Sequence, residues 1–485
     1  MISTDNKNQE SISIPSPMLP NFQNRDFVIT EYGAVGDGLT LNTVAINTAI
    51  NTCNANGGGR VVIPAGVWLT GPIKLQNNVN LYTEQGALVI FSDNFDEYGS
   101  VNTYYEGYPT MRCGSPISAV NAYNIAITGK GIFDGNGQAW RPVKRWKMTQ
   151  PQWDKLIKSG GYVTGAGNDS VWWPSHNAAE GNGYNNTVSG KVSDPKKFLI
   201  YRDFFRPVMV SFVNCNTILL DGVTFQNSPA WCVHPFKCEN ITIRNCNIRN
   251  PWYAQNGDGL DLECCRFVSI ENCTFDVGDD AICMKSGKNA EGRKLASPTE
   301  FVSIKNCTVY HGHGGFTIGS EMSSGVRNVK ISNCTFVGTD IGIRMKSCIG
   351  RGGTVENIYI SNINMCAIAE DAVSLIMSYS SAIDSGSRFA QYSIDDVPRF
   401  MNIYLKDIVC SGAVRAINIS GLEQTPCVIN NIFFDDCSFK AESGISNNFA
   451  SNVSLNNVDI CTNKNKLQAY KFFKTILPER NYIME

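Results

Sequence analysis

From about residue 208 onward one phrase recurs: alternating apolar residues, a polar pair, a small residue, then another apolar one. It reads LLDGVTF at 219–225, TIRNCNI at 242–248, SIENCTF at 269–275, SIKNCTV at 303–309, KISNCTF at 330–336, YISNINM at 359–365, YLKDIVC at 404–410 and FFDDCSF at 433–439. A weaker copy, SLNNVDI, follows at 454–460. The small-residue column is Val223, Cys246, Cys273, Cys307, Cys334, Ile363, Ile408, Cys437 and Val458, in steps of 23, 27, 34, 27, 29, 45, 29 and 21 residues. Period-two alternation of Val, Ile, Thr and Phe is a strand pattern, and Asn, Gly and Asp between the runs mark turns. A self-similar unit of about 20–30 residues built from short strands suits one coil of a parallel β-helix, with equivalent residues stacked about 4.8 Å apart. Leucine-rich repeats share the period but need Leu in fixed columns and a helix per repeat, and this chain has neither. The uneven steps place extra residues in turns, notably an insertion near 376–398, where they gather on the surface and shape a binding face.

The remainder of the chain fits the same solid. Residues 28–53 read as a strand, a Gly-rich turn and an amphipathic helix carrying Val44, Ile46 and Ile50. Such a helix caps the open end of a solenoid, which otherwise exposes a strand edge. Short strands over 58–92 make the first coils. A long insertion, about 138–205, holds five of the eight tryptophans and reads as a helix plus a long loop laid over one side. The expected layout is an all-β single domain: a flexible lead over 1–26, a parallel β-helix over 27–465 and a tail over 466–485.

Composition narrows the function. Apolar residues make up 43% of the 485 and charged residues 17%, enough for a large core. The net charge of -2 lacks the basic excess of a nucleic-acid binder, and no apolar run is long enough to span a membrane. Most of the 18 cysteines sit in the Asn-Cys phrase inside apolar runs, which points to buried thiols rather than disulfides. Cys264 and Cys265 are adjacent and rarely bridge each other, and no cysteine shows metal-ligand spacing.

Three acidic residues fall at corresponding places in neighbouring coils. Aligning 256–263, 278–285, 313–320 and 340–347 by their apolar alternation sets Asp258 level with Asp280, and Asp279 level with His313. Arg344 and Lys346 lie two coils beyond Asp280 and two residues apart, so they share a strand face. Glycosidic hydrolysis needs a protonated carboxyl for the leaving oxygen and an ionised one to activate water or attack carbon. Crowded carboxylates separate each other's pKa values, so one stays protonated. His313 is placed to tune that proton, and the two cations to clamp an anionic sugar. A lone Asp in a turn is usually a turn former; the stacked group argues otherwise. With four histidines in the chain and no third partner in phase for His311 and His313, no metal is expected. Asp261 and Glu321 are expected to support the structure. Trp231, Trp252 and Tyr253 stand near the site, as sugar platforms or as packing.

These residues resemble glycoside hydrolase family 28, the polygalacturonases, and in particular its exo-acting and bacterial branch. That family carries Asn-x-Asp, Asp-Asp, Gly-His-Gly and Arg-x-Lys in order; here they are Asn256-Gly257-Asp258, Asp279-Asp280, Gly312-His313-Gly314 and Arg344-Met345-Lys346. EYGAVGDG (31–38) and RPVMV (206–210) are also similar, and the likeness spans about 27–460. Gly257 and Met345 depart from the commoner Thr or Ser and Ile without removing a reacting group. The resemblance implies a right-handed parallel β-helix and inverting hydrolysis of α-1,4-galacturonosidic links without cofactor or metal. It implies Asp279 as general acid, Asp258 and Asp280 activating water, His313 tuning the acid, Arg344 and Lys346 holding the galacturonate carboxylate, and Asn256 shaping the site. The partner is then a pectic polysaccharide or oligogalacturonide met by a monomer. The place is periplasmic or extracellular; residues 1–25 are polar with no apolar signal core, so a leader is expected to have been removed. The long insertion and GSEMSSGV (319–326) suggest a walled, exo-acting cleft. Rhamnogalacturonan or xylogalacturonan hydrolysis, a pectate lyase and a non-catalytic carbohydrate-binding β-helix are the alternatives.

Overall fold

The structure, a computed structural model, describes residues 12–185, 194–379, 392–423 and 428–462. Coils of three short strands follow one another: Val233–Phe236, Glu239–Arg244 and Asn247–Arg249 make one, and Leu260–Glu263, Arg266–Glu271 and Thr274–Asp276 the next. Each strand pairs in parallel with its equivalent one coil on, as in Ile241 with Val268 and Val268 with Val302. The result is a right-handed parallel β-helix. The small-residue column is continuous, with Cys334 level with Ile363, Ile363 with Ile408 and Cys437 with Val458. Every described cysteine is a free thiol, and all but the partly exposed Cys366 and Cys461 are buried.

The asparagine of the Asn-Cys phrase has its own physical role. Asn245, Asn272, Asn306, Asn333 and Asn362 all take positive φ, between 50° and 57°. Among side-chain-bearing residues that conformation favours Asn, which hydrogen-bonds locally. The amides also link coil to coil: Asn306 donates to Asn272 at 3.2 Å and Asn362 to Asn333 at 2.8 Å. A second ladder climbs another corner through Asn328, Asn357, Asn402, Asn431 and Asn452. Sequence reading saw the cysteine column and missed both ladders.

Thr43–Ala55 is the capping helix, and its buried stripe is Ala45, Ile46, Ala49, Ile50 and Cys53. Val44, expected on that stripe, points to solvent at 79% exposure; residues two apart on a helix do not share a face, so Val44 and Ile46 diverge. Residues 12–25 run outside the first coils, where Met18 N–H donates to Asn240 Oδ1 at 3.1 Å. The expected tail over 466–485 and the middle of the 376–398 insertion lie outside the described residues.

The insertion after residue 137 is more structured than a helix and a loop. Besides the helix Gln150–Lys158 it forms an antiparallel sheet of Val143–Lys144, Tyr162–Thr164 and Val171–Trp173. Trp153 and Trp172 close a small core there with Val143, which explains why its tryptophans cluster. Trp140 instead joins Tyr98, Met111, Phe198 and Phe205 in a second core. That core also takes residues from a hairpin the sequence did not announce, Ser100–Tyr105 paired with Tyr108–Cys113. Tyr105 stacks on Trp231 at 4.5 Å and Tyr104 on Phe236 at 4.1 Å, docking the hairpin onto the helix.

Candidate active site

One face of the solenoid carries the strands Leu260–Glu263, Asp280–Lys285, Gly314–Gly319 and Ile341–Lys346 in successive coils. Leu260 is level with Ile282, and Asp280 with Gly314, so Asp258 falls level with Asp280 and Asp279 with His313. The aligned phrases thus meet in space: one carboxylate oxygen from each of Asp258, Asp279 and Asp280 lies within 4.8 Å of the others. His313 Nδ1 stands 3.2 Å from Asp279 Oδ1, and its backbone N–H donates to the Asp279 carbonyl at 2.9 Å. Lys346 Nζ meets Asp280 Oδ2 at 2.7 Å, Arg344 Nη1 is 3.5 Å from Asp280 Oδ1, and Thr317 Oγ1 donates to that same oxygen at 3.1 Å. Lys346 is therefore a buried partner of Asp280, whereas Arg344 stays partly open to the cleft. Asn256 turns away from the aspartates, its Oδ1 accepting from Arg206 Nη2 at 2.8 Å.

The three carboxyls sit in different electrostatic surroundings. Asp258 is 3% exposed and its Oδ1 has no hydrogen-bond partner among the described residues. Burial, then the charges of Asp261 and Asp279, push its pKa well above the carboxylate range against Lys285. Burial acts on Asp279 too, but His313, Lys346 and Arg344 outweigh it and hold Asp279 far below its ordinary value. Asp280 is likewise lowered, burial being outweighed by Lys346 and Arg344. Asp279 raises the pKa of His313 in return, against burial. Burial thus holds Asp258 toward its protonated form, beside the close Asp279–His313 pair. Divergent carboxyls are what acid–base division of labour requires.

Lys285, unannounced by the sequence, joins the expected Asp261 and Glu321 around the site. Lys285 reaches Glu321 at 3.1 Å and Asp261 at 3.5 Å, and its ammonium lies 4.8 Å from the Trp231 ring. Burial drives Asp261 up to about 8 in spite of Lys285. Register could have revealed Lys285, because it continues the column through Gly319 to Lys346. Trp231 is 3% exposed and sandwiched between Tyr105 and Lys285, so it is packing and not a sugar platform. Trp252 instead borders a crevice beside His313. His311 pairs with Asp276 at 2.6 Å.

A cavity of about 360 Å³ opens beside Asn256. The hairpin supplies Tyr105, Glu106 and Arg112, the insertion supplies Lys144 and Trp173, and Arg206 lies at its base. Arg112 and Arg206 are 6% and 8% exposed and form no ion pair among the described residues. Burial pulls Arg206 down to about 10. The hairpin and insertion together line this cavity.

Residues 154–462 match the glycosyl hydrolases family 28, well over half of the chain. The chain belongs to that family. As a family 28 glycoside hydrolase it is similar to relatives from several bacteria. Residues 27–128 also match a rhamnogalacturonase A/epimerase, pectate lyase-like family. An exo-poly-alpha-D-galacturonosidase of Dickeya chrysanthemi is 29% identical over 459 residues, covering 92% of this chain and 72% of that protein. The crystal structure of a hyperthermoactive exopolygalacturonase from Thermotoga maritima superposes with a TM-score of 0.77 at 29% identity, covering 92% of this chain and 94% of the other. A Yersinia enterocolitica family 28 exopolygalacturonase shares the fold, with a TM-score of 0.72 at 23% identity over 91% of this chain and 76% of that one. No helix among the described residues is long and apolar enough to cross a membrane.

Proposed function

We propose that this family 28 enzyme hydrolyses α-1,4-galacturonosidic links of pectin from a chain end. The observation that carries the reading is the meeting of Asp258, Asp279 and Asp280 beside the cations Arg344 and Lys346. A substrate carboxylate docked on Arg344 competes for the charge that holds Asp279 and Asp280 low. Binding therefore raises Asp279 toward a pKa at which it takes the proton offered by His313 and delivers it to the leaving oxygen. Asp280, ionised, takes a proton from the attacking water that Asp258 helps to position, as water oxygen bonds to the anomeric carbon and the bond to the leaving oxygen breaks.

The short spacing of these carboxyls resembles that of retaining enzymes, about 5–5.5 Å between groups, more than the wider gap of inverting ones. Nucleophilic attack needs a free lone pair aimed at carbon, however. Asp280 is bonded to Lys346 and Thr317 and is in contact with Arg344, and burial holds Asp258 toward its protonated form. Inversion follows, with water as the nucleophile; proton NMR of fresh product distinguishes the two outcomes, and initial retention would overturn it.

The walled cavity beside Asn256 supports exo action, as do the exo-acting relatives from Dickeya and Thermotoga. A polymeric substrate supports a periplasmic or extracellular place. The experiment is polygalacturonate digestion with a chelator present. Reducing ends appear, with galacturonic acid or one fixed short oligomer as the earliest product. A ladder of oligomers at early times refutes the exo mode, an ultraviolet-absorbing product that chelation abolishes indicates a lyase, and no release refutes the function.

A further inference from the structure

The insertion does more than wall off one end. Its segment Val143–Met148 carries two lysines around one indole: Lys144 Nζ lies 5.9 Å and Lys147 Nζ 5.4 Å from the Trp146 ring. Lys144 faces the large cavity with Arg112 and Arg206. Lys147 instead reaches the catalytic centre, lining a crevice of about 40 Å³ with Trp146, Trp252, Gly278, His313 and Asp340. It is 6% exposed, yet its ammonium forms no ion pair or hydrogen bond among the described residues. Its stem is buried but its ammonium is not among the fully buried atoms that lack a partner, so the charge opens onto the crevice and is available to an anionic group. Asp279 and Asp340 are close enough to influence Lys147, but neither pairs with it within 4 Å.

We infer that Lys147 is a substrate-binding residue, its ammonium receiving the carboxylate of a uronate unit that enters the crevice over His313. This rests on the galacturonan reading above and deepens it. The cleft then has cations on two sides of the aspartates: Arg344 and Lys346 on the solenoid, and Lys147 with Lys144 on the insertion. Successive uronates place a charge on each side of the bond that breaks. Lys147 lies outside every repeat and every motif that signalled the family, so it distinguishes this chain's recognition from what the helical scaffold alone supplies.

The test compares native enzyme with Lys147→Met and Lys147→Arg on a short galacturonate oligomer, with free galacturonic acid as competitive inhibitor. Loss of one charge-assisted contact is expected to raise KM and the inhibition constant about tenfold in Lys147→Met, with kcat changed less than about threefold. Lys147→Arg recovers most of that loss. A lysine that only packs would lower the melting temperature and leave the inhibition constant unmoved, which overturns the assignment. A second measurement uses native protein alone: galacturonic acid, and not galactose, changes indole emission, and Trp146→Phe removes the change. An equal response to both sugars, or none, overturns it. Native turnover of polygalacturonate is scored first. Its absence removes the galacturonan reading and this assignment together, whereas turnover with an unmoved inhibition constant removes Lys147 alone.

Discussion

Asp279 is bonded from three sides: by His313 at Nδ1, by the Asp280 N–H at 3.0 Å to Oδ1, and through its own carbonyl by the His313 N–H. Replacing it with Asn keeps the shape and removes the proton. Asp279→Asn is expected to lower kcat about 10²–10⁴-fold, the usual contribution of a positioned acid, with little change in melting temperature; intact turnover would refute its role. The pair also sets a pH dependence. His313 is raised above its ordinary 6.5 by Asp279 against burial, so its stabilising charge is complete below that value and lost as pH rises through the raised pKa. Asp279 is lowered, so its share is present above 3.8 and fades as pH falls below it. Activity is expected to decline on the alkaline side above about 6.5, and His313→Gln to abolish that limb while lowering the rate. An unchanged alkaline limb in the variant would assign it elsewhere. At this scale the sequence was informative where the repeat fixes register, as for Asp258, Asp279, Asp280, His313, Arg344 and Lys346. It was silent on Arg112, Lys144 and Lys147, whose segments have no periodicity and whose place is decided by tertiary docking.

A coil holds because each corner residue satisfies two demands, a left-handed backbone and a side-chain bond to the next coil. Asn306 meets both, at φ 57° and 3.2 Å from Asn272. Asn306→Ala is expected to destabilise by about 1–2 kcal/mol from the strained backbone alone, read as a lower denaturant midpoint. Asn306→Gly, free of that strain, should cost less, and equal losses would show that the amide bond and not the backbone matters. Strand existence and coil count were legible because alternation and turn residues agree along the repeat. Helix facing was not: Val44 appeared apolar and therefore inward, but the stripe through Ala45, Ile46, Ala49 and Ile50 leaves it outside. The hairpin Ser100–Tyr105 and Tyr108–Cys113 was hidden because its turn, Glu106-Gly107, interrupts no recognisable phrase and its stability comes from Tyr104 and Tyr105 docking on distant coils.

Over the whole molecule, the proposed recognition is divided between the repeat and the elements that lie outside it. The solenoid positions the reacting carboxyls through register, and the hairpin and insertion enclose them. Opening the wall tests that division: Tyr105→Ala removes the ring on which Arg112 rests at 3.7 Å and which stacks on Trp231. Early products are expected to shift from one fixed size toward a ladder, while reducing ends continue to be released. A collapse of all turnover with unaltered product size would show that the wall holds the catalytic face in shape instead.

The sulfur spine has a further outcome. No described thiol is bridged, and the hydrogen bond with the neighbouring thiol Cys273, with burial behind it, raises Cys307 to about 12, as Cys246 and burial raise Cys273. The described residues therefore offer a reductant no disulfide, and dithiothreitol should leave thermal denaturation unchanged. Alkylating reagents would reach the buried thiols only as a rung opens, whereas the partly exposed Cys366 and Cys461 react first, so labelling rates of the buried sulfurs would report where the rod begins to unwind.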